Sequence, residues 1–489
     1  MENRLMRRIV PALLLAMLWM APACSDKNDD TPTSGPDEAV EKWMADYMTS
    51  HYLWNEAMER VTPDYSLGYE AFLARLLRDI AAQNDINHDD GHWENGVRKY
   101  FYSNVERRSL SEAKLSRGTH QMTVGTGVSY LFYGSVNNDG KAPYYLQVRA
   151  VSPHAPAGRA GLVRGDYILR INGAPIAEWD KAADLLRDSK STLTVSVAKS
   201  LRGATVDLRF AAASYADDPV WASKVLTASD GTQVGYVCYD AFNYYYDEAL
   251  IAAFADLRSR QVKELILDLR YNGGGHVVSS AVLATLVGGN ALQGGVFART
   301  SYNASRTAAG ERIDRYCIGT ADYGNGSYAP IAAALSSALG LNRVYILCTG
   351  STASASELVI NGLRGLDVEV RLIGTKTNGK NVGMEPRTRT FDGYEYEFSP
   401  ITFYSANARG FRDYGDGFAP QVAVDEASVP TYDWGDERDA FLAAALAWIG
   451  QGVKPDGRSA AQTRAVGEMH PVPAPARPLD GMIRLPEYE

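Results

Sequence analysis

Val344–Leu363 reads "VYILCTGSTASASELVINGL": an apolar run, a turn of small residues, and a helix beginning near Ser354. The run is short, β-branched and bounded by glycine, which predicts a buried strand. A hydroxyl held at such a strand-to-helix turn is exposed at the sheet edge, and the free N–H groups of the helix start can stabilise an oxyanion. Serine-rich turns also simply cap helices, so the turn alone leaves catalysis and capping open. Outward from this segment, strands and helices alternate. "GTQVGYVCYDAF" precedes the helix "YDEALIAAFADLRSRQ", "KELILDLR" precedes a helix after "YNGGG", and "EVRLIG" follows the serine helix. That order predicts an α/β layer with crossover connections, closed by the helix "ERDAFLAAALAWIG".

Two further stretches carry chemistry. "LILDLRYNGGGHVVSS" sets three glycines directly after a buried strand, where backbone N–H groups can approach a ligand closely. Neither known phosphate-loop spacing is present, so an oxyanion hole fits better than a phosphate cradle. "GTKTNGKNVG" brings Lys376 and Lys380. No histidine lies between Gly350 and Gly383, and His276, after the glycine run, is the nearest conventional base. Lysine can take a hydroxyl proton only when neutral, which requires its pKa to fall from about 10.4 toward 7 or 8 by burial. A solvated surface charge is the default for lysine, and Lys376 is read so.

The remainder of the chain is less specific. Its 489 residues, 46% hydrophobic and 22% charged, have the composition of a multidomain globular protein. A net charge of −9, without basic runs longer than pairs such as Arg7-Arg8 and Arg107-Arg108, argues against nucleic acid. Residues 1–24 read as a secretion signal with "APA" before Cys24, and 25–37 as an acidic tether. Residues 38–118 read as a small helical domain, and its loop "NDINHDDGHWE" as an ordinary acidic loop, because the glycine and the closing acid of a calcium loop are misplaced. No metal or cofactor is expected. Cys238, Cys317 and Cys348 are read as unpaired thiols, the first and last in buried strands. The proline-punctuated residues 451–489 are expected to lie outside the packed core.

Residues 119–203 resemble a PDZ domain of the bacterial protease type. Its markers are Ser152-Pro153, Ala160-Gly161-Leu162, Arg164-Gly165-Asp166 and Ile171-Asn172-Gly173. The "VGTGVSY" turn, through Gly125, Gly127, Val128 and Ser129, is the expected site for a substrate's C-terminal carboxylate. With this domain ahead of them, "LILDLRYNGGG", "GSTASASELVINGL" and "GTKTNGKNVG" in that order resemble the C-terminal processing (tail-specific) serine proteases. The resemblance implies an α/β, ClpP/crotonase-like peptidase core over 204–450. It also implies Ser354 as nucleophile, Lys380 as base, Gly274 or Gly275 with Ala355 as oxyanion hole, and proteins or peptides with free C-termini as substrates. Cys24 resembles the acylated cysteine of bacterial lipoproteins, here of a Bacteroidetes type, implying a lipid-anchored envelope protein. Two departures stand out: "RGLDVEVRLIG" is one residue longer than in the family, and Met384 replaces the glutamine that often follows the lysine by four places. The rival readings are a turnover-free peptide- or lipid-binding lipoprotein and an esterase, the latter without a Gly-x-Ser-x-Gly elbow.

Overall fold

The computed structural model describes residues 37–83, 90–94, 97–110, 122–311, 313–324, 326–456, 469–473 and 482–483. Cys24, residues 25–36 of the tether and the calcium-like Asp85, Asn87 and Asp89 lie outside the described residues.

A six-stranded sheet forms the backbone of the core, in the order Val220–Thr227, Gln233–Tyr239, Glu264–Asp268, Arg343–Cys348, Glu369–Gly374 and Val422–Ala423. Only the first pair is antiparallel. The inner strands are apolar over their central residues because helices cover both faces, as crossover connections require. Helices Asp247–Ser259, Val277–Gly288 and Ala355–Gly365 bury one face with Leu250, Phe254, Val282, Leu286, Leu358 and Val359. Helix Ala440–Gln451 and Trp434 bury the other with Phe441, Leu442 and Trp448. Cys238 and Cys348 are buried free thiols, and Cys317 is a half-buried one.

A second six-stranded sheet stands beside the first, ordered Gly275–His276, Met482–Ile483, Val382–Met384, Ile401–Ala406, Val296–Ser301 and Arg315–Cys317. Its second strand comes from the chain's C-terminal region. The segment expected to stay outside the core thus supplies strands at Met482–Ile483 and, in the PDZ sheet, at His470–Pro471.

The front of the chain is not purely helical. Helices Glu38–His51 and Tyr69–Gln83 bury Met44, Met48, Phe72 and Leu76 against Val382, Met384, Phe398 and Ile401 of the core. Strand Asn104–Ser109 adds to the hairpin Arg387–Phe391 and Tyr394–Ser399 as the third strand of a small sheet. Met384, where the family often has glutamine, is a buried apolar contact in this cluster.

The PDZ domain is held to the core by buried ions. Arg164 Nη2 lies 2.7 Å from Glu426 Oε1, and its Nη1 donates to Tyr271 Oη at 3.1 Å. Arg270 pairs with Asp268 at 2.6 Å and with Asp439 at 3.0 Å. The PDZ domain therefore meets the residues immediately preceding the glycine run.

Candidate active site

The strand Arg343–Cys348 ends in a turn whose geometry is fixed from outside. Thr352 Oγ1 donates to Leu269 O at 2.7 Å, and Asn272 O accepts from Ala353 N–H at 3.1 Å and from Ser356 Oγ at 2.9 Å. The serine turn and the glycine loop are thereby stitched together. Ser354 caps the helix with φ +59°, a conformation costly for a residue with a Cβ. It is fully buried, and its Oγ faces the Glu357 N–H of the capping box but has no partner in full hydrogen-bond geometry among the described residues. A buried hydroxyl left unpaired costs free energy, so an orphan at a strained turn is one the fold holds in place against its own preference.

Glu357, one turn along the helix, explains how. Its Oε2 accepts from Ser354 N–H at 3.0 Å and from Lys380 N–H at 2.8 Å. Its Oε1 accepts from Gly379 N–H at 2.7 Å and from Thr377 Oγ1 at 2.6 Å. One carboxylate oxygen thus gathers the backbones of serine and lysine, which are far apart in sequence. Burial pushes the Glu357 carboxyl up to about 7 against the pull of these four donors.

Lys380 is buried and Lys376 exposed, as expected from the sequence. Lys380 Nζ lies 4.6 Å from the ring centroid of Tyr102, whose hydroxyl donates to Asn378 Oδ1 at 2.9 Å. Asp90 stands behind, accepting from Tyr52 Oη at 2.6 Å and Ser103 Oγ at 2.8 Å. Burial pushes the Asp90 carboxyl up, while these hydrogen bonds and the charge of Lys380 pull it down. The lysine side chain is therefore walled on this side by the front domain.

Gly274 sits against the serine. With φ +116°, its added Cβ would fall 2.8 Å from Ser354 Cβ and 3.0 Å from Ala355 N. Only glycine fits there. Its N–H, however, already donates to Asn272 Oδ1 at 2.9 Å. Gly274 thus permits close approach of the glycine loop to the serine, with its own N–H held by Asn272. Ala355, the first residue of the serine helix, lies beside Gly274, and Gly275, with φ +133°, packs against Phe242. His276 is buried, its Nδ1 3.0 Å from Phe242 O and its ring edge-on to Tyr244. Burial pulls it down to about 4, so it is neutral and tied to a carbonyl.

At the PDZ turn, Thr126 N–H donates to Arg187 O at 3.2 Å and Val128 N–H meets Thr126 Oγ1 at 3.3 Å. Gly127, with φ +87°, is required because a Cβ would strike Ala155. Val128 is buried, while Gly125 and Ser129 are partly exposed.

A strained serine gathered with a buried lysine beside a glycine loop, in an α/β core to which a PDZ domain is bolted, is the layout of a PDZ-bearing serine peptidase scaffold. Residues 233–424 match the model of Peptidase family S41, and residues 147–199 match that of a PDZ domain. Over residues 233–424 the chain is thus similar to peptidase family S41. It is similar to the chloroplastic C-terminal processing peptidase of Tetradesmus obliquus, 28% identical over 33% of this chain and 36% of the relative. It is also similar to the carboxyl-terminal-processing peptidase 3 of Arabidopsis thaliana, 26% identical over 48% of this chain and 43% of the relative. The matched region is thus less than half the length of these relatives. A solved structure described as an S41 protease from Bacteroides fragilis is 26% identical, covers 88% of this chain and 100% of its own, and superposes with a TM-score of 0.65.

Sequence reasoning missed Glu357, Asn272, Asp90 and Tyr102. Glu357 had a signal: a serine followed three places later by glutamate is a capping-box pattern, whose glutamate reaches back to the cap N–H. Asn272 is adjacent to the glycines. Nothing local marks Asp90 or Tyr102.

Proposed function

We propose that this protein is a serine endopeptidase that cleaves protein or peptide substrates through a Ser354/Lys380 dyad and an acyl-enzyme. The observation that carries this reading is the shared Glu357 oxygen, which accepts the N–H groups of both residues at 3.0 and 2.8 Å. Lys380 Nζ, as the neutral amine, takes the Ser354 Oγ proton while Oγ attacks the peptide carbonyl. The N–H groups of Gly275 and Ala355 receive the oxyanion. The protonated lysine then gives its proton to the leaving amine, and water hydrolyses the ester by the reverse sequence. Retention of serine and lysine in one clamp weighs against a binding scaffold without turnover. His276, neutral and bonded to Phe242, is left out of the chemistry.

On the same footing, the PDZ domain engages the C-terminal tail of the substrate beside Gly125–Ser129, and the chain is a lipoprotein anchored in the cell envelope through Cys24. The family resemblance and the "APAC" segment support these two assignments. Treatment with a fluorophosphonate probe and peptide mass spectrometry tests the central reading. An adduct on Ser354 is expected, lost in Lys380→Ala. A folded protein that takes no label and cleaves no unfolded reporter would remove the peptidase assignment.

A further inference from the structure

Two pieces of the C-terminal region lie where a substrate polypeptide would. The first is Met469–Pro473. His470 and Pro471 pair antiparallel with Tyr133 and Phe132 of the PDZ strand Val128–Ser135, and Val472 N–H donates to Leu131 O at 2.9 Å. Val472 is buried in the PDZ core with Val128, Leu131, Ala183 and Leu186. Arg187, on the flanking helix Trp179–Asp188, donates from Nη2 to Pro473 O at 3.0 Å and to Ser129 O at 3.3 Å. This is peptide capture by strand addition, with an apolar side chain seated between strand and helix. The segment runs toward the start of its partner strand, so its later residues approach the turn at Gly125–Ser129.

The second piece is Met482–Ile483, which runs parallel between Gly275–His276 and Gly383–Met384. One neighbour follows Gly274, which abuts Ser354. The other begins three residues after Lys380. A strand inserted there fills the space between the glycine loop and the lysine strand.

We propose that these two pieces are a built-in competitor. The PDZ groove takes an extended internal segment anchored by an apolar residue, here Val472 of the chain itself, and the cleft takes a parallel strand, here Met482–Ile483. Substrate enters by displacing both. Prolines at 471 and 473 suit a resident occupant. They hold the chain extended at low entropic cost and withhold alternate N–H groups, so it pairs on one edge only. Tethering gives such an occupant an effective concentration in the millimolar range, which a free tail must overcome.

The cleft half rests on the peptidase reading, whereas the groove half does not, and the experiment separates them. A fluorescein-labelled synthetic peptide of residues 468–476 is titrated by anisotropy into the full chain, into a chain ending at residue 467, and into full-length Val472→Asp. Binding to the shortened chain and to Val472→Asp is expected to be at least about tenfold tighter than to the full chain. Arg187→Ala in the shortened chain is expected to weaken it. Equal binding to all forms overturns the groove assignment, and Val472→Asp keeps the comparison decisive if the shortened chain does not fold. Cleavage of an unfolded reporter is then compared. A rise in kcat/KM of about tenfold on shortening, mainly through KM, supports the cleft assignment, and unchanged kcat/KM overturns it. No turnover in any form, with tail-dependent peptide binding intact, sinks the peptidase reading and leaves the groove assignment standing.

Discussion

Glu357 and Glu426 are both buried carboxylates of one core, and their surroundings differ in kind. Glu357 is met by four neutral donors, three backbone N–H groups and a threonine hydroxyl. Glu426 is met by the guanidinium of Arg164, with Arg149 at 3.7 Å and Tyr271 as a further donor. Burial pushes both up. For Glu426 the three cations Arg164, Arg149 and Arg270 more than offset it and hold the group at about 2, whereas hydrogen bonds alone leave Glu357 at about 7. Ion pairing fixes the joint between domains in one charge state. Hydrogen bonding alone leaves the clamp on the dyad close to its protonation threshold.

Substitutions at the two carboxylates and at the groups they hold put this contrast at risk. Lys380→Ala removes the amine that the clamp positions and is expected to lower kcat by on the order of 10⁴-fold or more without change in the unfolding midpoint. Survival of turnover in a folded variant would transfer the base to another residue. Glu426→Gln leaves buried arginine charge uncompensated and is expected to cost ~3–5 kcal/mol in urea unfolding, with near-normal turnover while folded. Glu357→Gln keeps the volume but turns two acceptor positions into a donor group. A loss of about 10²-fold in kcat is expected, since small displacements of reacting groups cost that much. If Glu357→Gln instead mainly destabilises, the clamp is structural.

The pH dependences have opposite signs. The folded-state pKa of Glu357 lies above its ordinary 4.5, so the folded chain keeps a proton that the unfolded chain releases. Its contribution to stability is therefore full below about pH 4.5 and declines as pH rises to about 7. That of Glu426 is present above about 4.5 and lost as pH falls toward about 2. Urea unfolding across pH should show each slope vanish in the corresponding glutamine variant, and a shared slope would dissolve the distinction. The smallest effect is expected for His276→Ala and Lys376→Ala, both within about threefold of the parent in kcat/KM because neither takes part in the proton transfers.

The sheet, the serine turn, the glycine loop and the lysine were legible because each is a local pattern. Apolar runs, glycine at positive φ and small residues at a turn are all dictated over a few residues. What could not be read is non-local. Asn104–Ser109 is polar and became a strand only because Tyr394–Ser399 offered an edge. Tyr102 reaches Asn378 across 276 positions. The tail's prolines read as disorder because isolated extended chain has no partner of its own. Val472 found one in the PDZ groove.

The wall that Tyr102 places beside Lys380 has a consequence for how the molecule can be switched off. Clipping by another protease in the front segment, far from any catalytic atom, would strip the amine of its cover and let water in. The inactivated chain would still carry an intact serine, lysine and PDZ domain. After such clipping, active-site labelling and total protein would diverge.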